Sequence, residues 1–363
     1  MVEQSLKAVR INQYFRTDKI MYIAIVGYGG MGRYHFTRLE KTGIVKTKGV
    51  FDTDSKRTAL AASDGLHVYE DYRQIAADKD IGGVLIATPN DVHAKYIEYF
   101  TRYGKRVLCE KPVVNSAAEF ERLLENTGDG VFTVNQNRRF DADYLTAKEV
   151  IESGAIGKVY RIESRVTGAN GIPGGWRKLK KHGGGMMLDW GVHLIDQALC
   201  MFPRIKALRC VYSYALGFGV EDGFIAELFT DCGTHFIIEV QTNDFIGVDR
   251  WKVFGRDGSA VIKNWSVEGD ITLPVYGSDV EVVSIPAGNG LTKTMSYRSH
   301  DSVEVKPLPK VSPDVDRLYR DFAGDGLNGD MTVKHDEVLR VLKVMDKCKQ
   351  SAKRGGSLIA VNI

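Results

Sequence analysis

No part of this sequence carries an apolar run near the roughly 20 residues that a membrane-spanning helix needs. Cysteine is sparse. The five residues, Cys109, Cys200, Cys210, Cys232 and Cys348, are odd in number, scattered, and never spaced as a metal clip. They read as buried free thiols in a reducing compartment, and no cysteine or histidine cluster supplies three zinc ligands at recognisable spacing, which argues against a zinc-dependent alcohol dehydrogenase. Charge of one sign is also missing: 49 Lys and Arg against 46 Asp and Glu leave a net charge of +3. That is too little to argue for nucleic acid or a membrane surface as partner. Repeats and low-complexity tracts are absent. The first twenty residues, MVEQSLKAVRINQYFRTDKI, are charged throughout and lack the apolar core of a signal peptide. They are expected to form an extension that packs on a neighbour or frays, and a cytoplasmic location is expected.

What is present suits two domains. At 363 residues, with 44% hydrophobic and 26% charged residues, the chain can bury two ordinary cores. From Met21 onward short apolar runs alternate with helical patterns. The runs Tyr22–Val26, Thr47–Phe51, Gly83–Ala87, Arg106–Cys109 and Val131–Val134 are interleaved with helices such as Met31–Lys41, Val92–Tyr103 and Ala117–Asn126. This alternation predicts a parallel sheet covered on both faces. After about residue 158 strand candidates follow one another: Val159–Val166, Ala207–Ala215, Phe224–Phe229, Phe236–Gln241, Trp251–Phe254, Ala260–Lys263, Ile271–Val275 and Val280–Ile285. They predict a large, mostly antiparallel sheet, with helices at Leu188–Met201, Asp314–Phe322 and Asp336–Ala352. The softest segment is Gly288–Asp301.

The stretch Gly27-Tyr28-Gly29-Gly30-Met31-Gly32 follows a predicted strand and opens a predicted helix. In a dinucleotide fold the first glycine permits a tight turn, the second admits a pyrophosphate, and the third lets helix and strand pack closely. The helix N-terminus offers amide donors and partial positive charge to phosphate. Asp52 ends the next strand, 20 residues beyond Gly32, where a carboxylate that binds the adenosine ribose belongs. Such a carboxylate accepts from the ribose hydroxyls of NAD and repels the 2′-phosphate of NADP, so NAD is the expected cofactor. Lys56 and Arg57 bear on that choice, although a solvated helix start explains them as well.

Two further clusters carry chemistry. Glu110-Lys111-Pro112 stands at the end of the Arg106–Cys109 strand. Ligands of open parallel sheets bind beyond strand carboxyl ends, so Lys111 should face the cofactor cleft. A surface lysine is the plain alternative. A sharp presentation of Lys111 would suit a cis bond to Pro112, which spacing alone does not support. The second cluster, GGGMMLDWGVHLID from Gly183 to Asp196, places Asp189 and His193 four apart on one helix face, with Asp196 three further on. A neutral imidazole suits an alcohol proton near pH 7, and a neighbouring carboxylate can orient it. A capped helix start with a core histidine is the alternative. In the basic run Trp176–His182, a sugar ring could pack on Trp176 and accept hydrogen bonds from Arg177; otherwise the run is a solvated loop. Tyr144-x-x-x-Lys148 matches the catalytic spacing of short-chain dehydrogenases, but it lies in a polar helical stretch behind the wrong glycine pattern.

With these residues together, the chain from Met21 to Ile363 resembles the glucose–fructose oxidoreductase, inositol dehydrogenase and rhizopine-catabolism family. The likeness rests on Gly27–Gly32, Asp52, "ATPNDVH" (Ala87–His93), "EKP" (Glu110–Pro112), "NRRFD" (Asn137–Asp141), "GAIGKV" (Gly154–Val159) and "GGGMMLDWGVHLID". It implies an α/β chain: an extension over residues 1–20, a Rossmann NAD-binding domain over 21–140, and a substrate-binding and oligomerising α/β domain over 141–363, with an open, mostly antiparallel sheet and a closing helix. It also implies roles. His193 would be the general base, Lys111 would bind the reacting oxygen, and Asp189 would steer both. Thr88, Pro89, Asn90 and His93 would line the nicotinamide, with Glu110 beside the cofactor. Arg139, Trp176 and Arg177 would join Lys111, Asp189 and His193 around substrate.

The expected activity is reversible, NAD-dependent oxidation of a secondary hydroxyl on a sugar, glycoside or cyclitol, with a lean to the sugar 3-position. The alternatives are a redox-neutral NAD-dependent glycosidase with a transient 3-ketone, a myo- or scyllo-inositol dehydrogenase, and a sugar-sensing regulator. No metal is expected, and a homo-oligomer through the second sheet is.

Overall fold

Strands that are apolar along their whole length cannot show one face to water, so they demand cover on both sides. β1 (Tyr22–Val26) and β4 (Ile81–Ile86) are such strands, and they lie inside one parallel sheet with β2 (Lys46–Phe51), β3 (His67–Val68), β5 (Arg106–Cys109) and β6 (Phe132–Val134), in the order β3-β2-β1-β4-β5-β6. In the computed structural model, residues 20–275, 284–295, 297–325 and 331–363 are described. The extension over 1–19 and residues 280–283 of the Val280–Ile285 strand candidate lie outside them. β5 is buried at every residue, and Ile23, Ala24, Ile25 and Val26 of β1 are fully inaccessible. The strand order reverses between β1 and β4, the crevice where open α/β sheets bind ligands. Gly27, Ala87 and Glu110 each follow a strand of this central trio, so three of the sequence motifs leave its carboxyl edge.

Local chemistry sets the helices beside those strands. The helix Gly30–Thr42 stops at Gly43, whose φ of 65° is left-handed. Asp54 caps Ser55–Ser63 by accepting from the Lys56 amide. Ser116 caps Ala117–Thr127 by accepting from the Glu119 amide at 3.3 Å, and Glu119 reaches back to the Asn115 amide at 3.0 Å. That reciprocal pair fixes Asn115 at the helix mouth.

By packing, the chain divides into two units that are discontinuous in sequence. Among the described residues, the first gathers those up to Asn137 with those of Pro173–Asp196 and Asp314–Asp346; the second holds those of Arg138–Ile172, Gln197–Pro313 and Lys347–Ile363. Chain order had suggested a single division at residue 140. The segment 173–196 instead groups with the parallel sheet.

The second unit is built on a nine-stranded sheet: β7 (Val159–Thr167), β8 (Ile205–Ser213), β9 (Gly223–Thr230), β10 (His235–Gln241), β11 (Trp251–Gly255), β12 (Gly258–Ile262), β13 (Gly269–Pro274), then, after a short ribbon formed by β14 (Ile285–Pro286) and β15 (Thr292–Lys293), β16 (Val303–Pro307) and β17 (Ile359–Ala360). Its order is β16-β13-β12-β11-β7-β10-β9-β8-β17, antiparallel throughout except between β7 and β10. Strict alternation of burial along β10 marks one covered face.

Two helices differ from expectation. Leu188–Met201 is not one α-helix: Met187–Gly191 forms a π-helical turn and the α-helix runs Val192–Met201. Asp189 therefore sits inside a slip in helical register and His193 just past it, so the two share no uninterrupted α-helical face. Such insertions recur at functional positions. Asp314–Phe322 shortens to Arg317–Arg320, which runs into a π turn over Asp321–Asp325 where Gly324 leaves helical geometry (φ 142°).

Candidate active site

Glycines 27, 29, 30 and 32 serve two purposes, which their surroundings separate. Gly27 has φ +93°, and a Cβ there would lie 2.7 Å from the Ala87 carbonyl oxygen; one on Gly32 would lie 2.0 Å from the Gly27 oxygen. These two allow backbone to touch backbone. A Cβ on Gly30 would meet nothing within 4 Å, and one on Gly29 would meet only the tip of Arg57 at 3.6 Å. The space before the helix is thus left clear, and no side chain caps its N-terminus. Beside it opens a cavity of about 410 Å³ bounded by Tyr28, Gly29, Gly30, Arg33 and Arg57. Met31 lies on the half-exposed outer side.

Asp52 ends β2 with its carboxylate fixed: Oδ2 accepts from the Tyr28 amide at 2.6 Å and Oδ1 from the Asp54 amide at 2.9 Å. Arg57 Nη1 lies 3.6 Å from Oδ2. Tyr28 turns its ring into the core and donates its hydroxyl to Asp64 at 2.8 Å. A clear helix N-terminus, a cavity against it and a held carboxylate beside it are the parts a dinucleotide needs, so the residues present fit NAD.

After β4 the chain turns through Thr88 and Pro89 into Asn90 and His93. His93 is fully buried, with Nε2 2.9 Å from the Thr88 carbonyl and Nδ1 2.9 Å from that of Pro112. Burial pushes its imidazole toward the neutral form and outweighs the pull of the two carbonyls. Buried Asn90 donates to the Gly183 carbonyl at 3.2 Å, and Asp91 pairs with His182 at 3.1 Å.

After β5 comes Glu110, then Lys111, joined to Pro112 by a cis peptide bond. Lys111 Nζ donates to the Asp189 backbone oxygen at 2.7 Å and to its Oδ1 at 3.1 Å. Arg177 Nε donates to the same Oδ1 at 3.2 Å while its guanidinium lies 4.9 Å from the Trp176 ring centre. Burial would raise the Asp189 carboxyl, but Lys111 and Arg177 overcome it and hold the group below its ordinary range. One carboxylate thus gathers two cations. His193 is buried near the start of the Val192–Met201 helix, with the Trp190 ring edge-on at 5.9 Å.

Lys111, Asp189 and Arg177 are in direct contact, and Trp176 stacks on the last. Arg139, also buried, belongs to the second unit, on the turn Asn137–Phe140. Tyr144 and Lys148 lie there too, in the helix Ala142–Glu152. Tyr144 packs beside Trp251 at 6.4 Å, and Lys148 pairs with Glu152 at 3.6 Å. Sequence reasoning did not pick out Asn115, whose Oδ1 would lie 2.4 Å from a Cβ on Gly183, nor Asn135 and His35, which both hold Glu110. The run Gly183–Gly185 was the available signal for the first. The others had none, since each is an ordinary polar residue inside a helix or after a strand.

Comparison with known proteins bears on the family, the fold and the cofactor. Residues 21–129 match the model of the oxidoreductase family's NAD-binding Rossmann fold, and residues 144–261 match that of the GFO/IDH/MocA C-terminal domain. An uncharacterized oxidoreductase of Schizosaccharomyces pombe is 34% identical over 343 residues, covering 84% of this chain and 89% of that protein. The inositol 2-dehydrogenase of Rhizobium meliloti is 30% identical over 250 residues, 66% of this chain and 74% of its own. The crystal structure of an NAD-binding protein from Listeria innocua superposes with a TM-score of 0.89 at 39% identity, covering 94% of this chain and all of the other. The chain belongs to the GFO/IDH/MocA family of oxidoreductases, and residues 21–129 are its NAD-binding Rossmann fold.

Proposed function

We propose that this NAD-binding oxidoreductase oxidises a secondary hydroxyl on a polyhydroxylated ring. The observation that carries this reading is the Lys111–Asp189–Arg177 cluster beyond the carboxyl end of β5, on the side of the sheet from which the glycine loop also leaves. NAD, when bound, supplies the hydride acceptor. The glycine loop takes the pyrophosphate at the helix N-terminus, and Asp52 accepts from the ribose hydroxyls. Lys111 Nζ binds the reacting hydroxyl oxygen and stabilises negative charge developing there. His193 takes the hydroxyl proton, a role that a neutral imidazole suits near pH 7. Asp189 fixes Lys111 Nζ and Arg177 Nε, which leaves the trio with one net positive charge.

Within this class we favour a pyranose oxidised at its 3-position, with Trp176 as the platform on which the ring rests. The named activity of the Rhizobium meliloti relative supports a second reading, a cyclitol such as myo- or scyllo-inositol. The exposed pair Val211 and Ile225, opposite one another on β8 and β9, supports self-association through the outer face of the second sheet.

A panel of glycosides, free sugars and inositols is assayed for NADH absorbance with the wild-type enzyme and with Lys111→Ala and His193→Ala. The expected result is NADH formation with at least one ring. His193→Ala should lower kcat by roughly 10²–10⁴-fold with a milder effect on NAD affinity. Aglycone release without net NADH would replace the dehydrogenase with a redox-neutral glycosidase. Normal turnover in both variants would move the chemistry elsewhere.

A further inference from the structure

Three segments distant in sequence meet on one buried imidazole. His35 stands on the helix Gly30–Thr42 and is 1% exposed. Its Nε2 lies 2.7 Å from Glu110 Oε1, and its Nδ1 lies 2.6 Å from the hydroxyl of Tyr319, 284 positions along the chain. Asn135, just past β6, donates to the same Glu110 oxygen at 2.6 Å. The other oxygen, Oε2, faces the Lys111 backbone amide at 3.3 Å. All of these groups belong to the first unit.

Elementary donor rules place the protons. A carboxylate only accepts, so Nε2 carries the hydrogen that Glu110 receives, and Nδ1 shares a hydrogen with the Tyr319 hydroxyl. Burial pushes the Tyr319 phenol further toward its protonated form, as a donor there requires. Glu110 is itself buried, which alone would favour the neutral acid, but the His35 hydrogen bond, the nearby Lys111 charge and the Asn135 hydrogen bond together outweigh burial and keep it ionised. An ionised carboxylate in such a place is held firmly, because every displacement leaves a buried charge without donors.

Glu110 immediately precedes Lys111. On the other flank, the Pro112 carbonyl faces the ring of buried His93 at 2.9 Å. Lys111 is therefore strung between two anchored neighbours, and its side chain runs from that fixed point to Asp189. A misplacement of about 1 Å at a reacting group can cost on the order of 10²-fold in rate.

We propose that His35, backed by Tyr319, is a positioning residue for Lys111 and acts through the Glu110 carboxylate. The inference rests on the reading of Lys111 as the group that binds the reacting oxygen.

The test is a double-mutant cycle on the full chain. His35→Leu should lower kcat by roughly 10- to 100-fold while the Kd for NAD changes by no more than about twofold. His35→Gln, which restores a donor toward Glu110, should recover most of the rate. In a Glu110→Gln background the further loss on His35→Leu should be small, since the two act as one unit. A substrate-free readout accompanies the kinetics: the ¹³Cε spectrum of lysine-labelled apoprotein, with the Lys111 signal assigned by its loss in Lys111→Arg. That signal should move in His35→Leu and return in His35→Gln. An unmoved Lys111 signal, or a rate loss undiminished in the Glu110→Gln background, overturns the proposal. Where His35→Leu does not fold, Tyr319→Phe takes its place under the same two criteria, with a smaller expected loss. A wild-type enzyme that forms no NADH from any ring overturns the dehydrogenase reading instead, and the apoprotein spectrum then decides the role of His35 by itself.

Discussion

Gly29-Gly30 and Gly183-Gly184 look alike in the sequence and do opposite work. Around the first pair there is open space: nothing stands within 4 Å of where a Gly30 Cβ would be, and only a flexible arginine tip stands near Gly29. Around the second pair there is protein. A Cβ on Gly183 would meet Asn115 Oδ1 at 2.4 Å, and one on Gly184 would meet the Arg177 backbone oxygen at 2.4 Å. The first pair is bare so that a ligand can approach; the second is bare so that the segment bearing Arg177 can fold back onto the one bearing Asp189. Composition marks a close approach but does not say what approaches.

The largest effect that bears on this contrast is expected at the loop's far end. Gly32→Ala forces a Cβ to 2.0 Å from the Gly27 oxygen, and backbone cannot yield as a side chain tip can. Overpacking of this kind costs about 3 kcal/mol or more. Thermal unfolding of the apoprotein should register the loss and NAD titration should show no binding; an apoprotein of native stability would show that the loop has more room than its geometry implies.

Gly184→Ala should destabilise by roughly 1–3 kcal/mol and lower kcat with the Kd for NAD little changed. Its collision is with the Arg177 backbone, away from the open helix end. Weakened NAD binding as the main effect would erase the distinction between the two glycine pairs.

Asp189, on which that second packing converges, is held ionised by Lys111 and Arg177. Its pKa lies below the ordinary carboxylate range, so any acidic limb of kcat belongs to a neighbouring base. Asp189→Asn removes an anion that favours that base's protonated form. The base's pKa must fall, and the limb should move to lower pH by up to about one unit while kcat drops. A pH–rate profile that loses the limb altogether would assign the titration to Asp189 itself.

The smallest effect has the opposite sign. Gly30→Ala places a better helix former at an uncrowded helical position, and should stabilise the apoprotein by about 0.5–1 kcal/mol. It should also weaken NAD, because the added methyl occupies space left for the ligand. Stabilisation without loss of affinity would mean that the pyrophosphate does not lie there.

The central parallel strands β1, β4 and β5 were legible because each is a short run of almost entirely apolar residues. A continuous apolar run bounded by glycine or a turn has few solutions. β3 and β17, with two residues each, were not legible, since pairing with a neighbour defines them more than their own side chains do. The slip at Met187–Gly191 was invisible for a related reason: i, i+4 spacing reads the same across an α turn and across the start of a π turn. At the site, Gly27, Gly32, Asp52 and Lys111 stood out because their chemistry and their place at strand ends are both local. Arg177 was recognised as a residue that could meet a sugar, yet its bond to Asp189 depends on the fold-back over Gly184.

By itself the sequence determined what short-range physics controls: the alternation of strand and helix, the bare turn before the helix Gly30–Thr42, and the acid at the end of β2. Tertiary structure alone decided that residues 173–196 and the described residues of 314–346 pack with the parallel sheet, and that Tyr319 closes on His35 across 284 positions. Hydrophobic periodicity is a property of a window of about a dozen residues, and a hydrogen bond is a property of two atoms wherever the chain has carried them. The first can be read along a line of letters, while the second exists only after the core has brought the segments together.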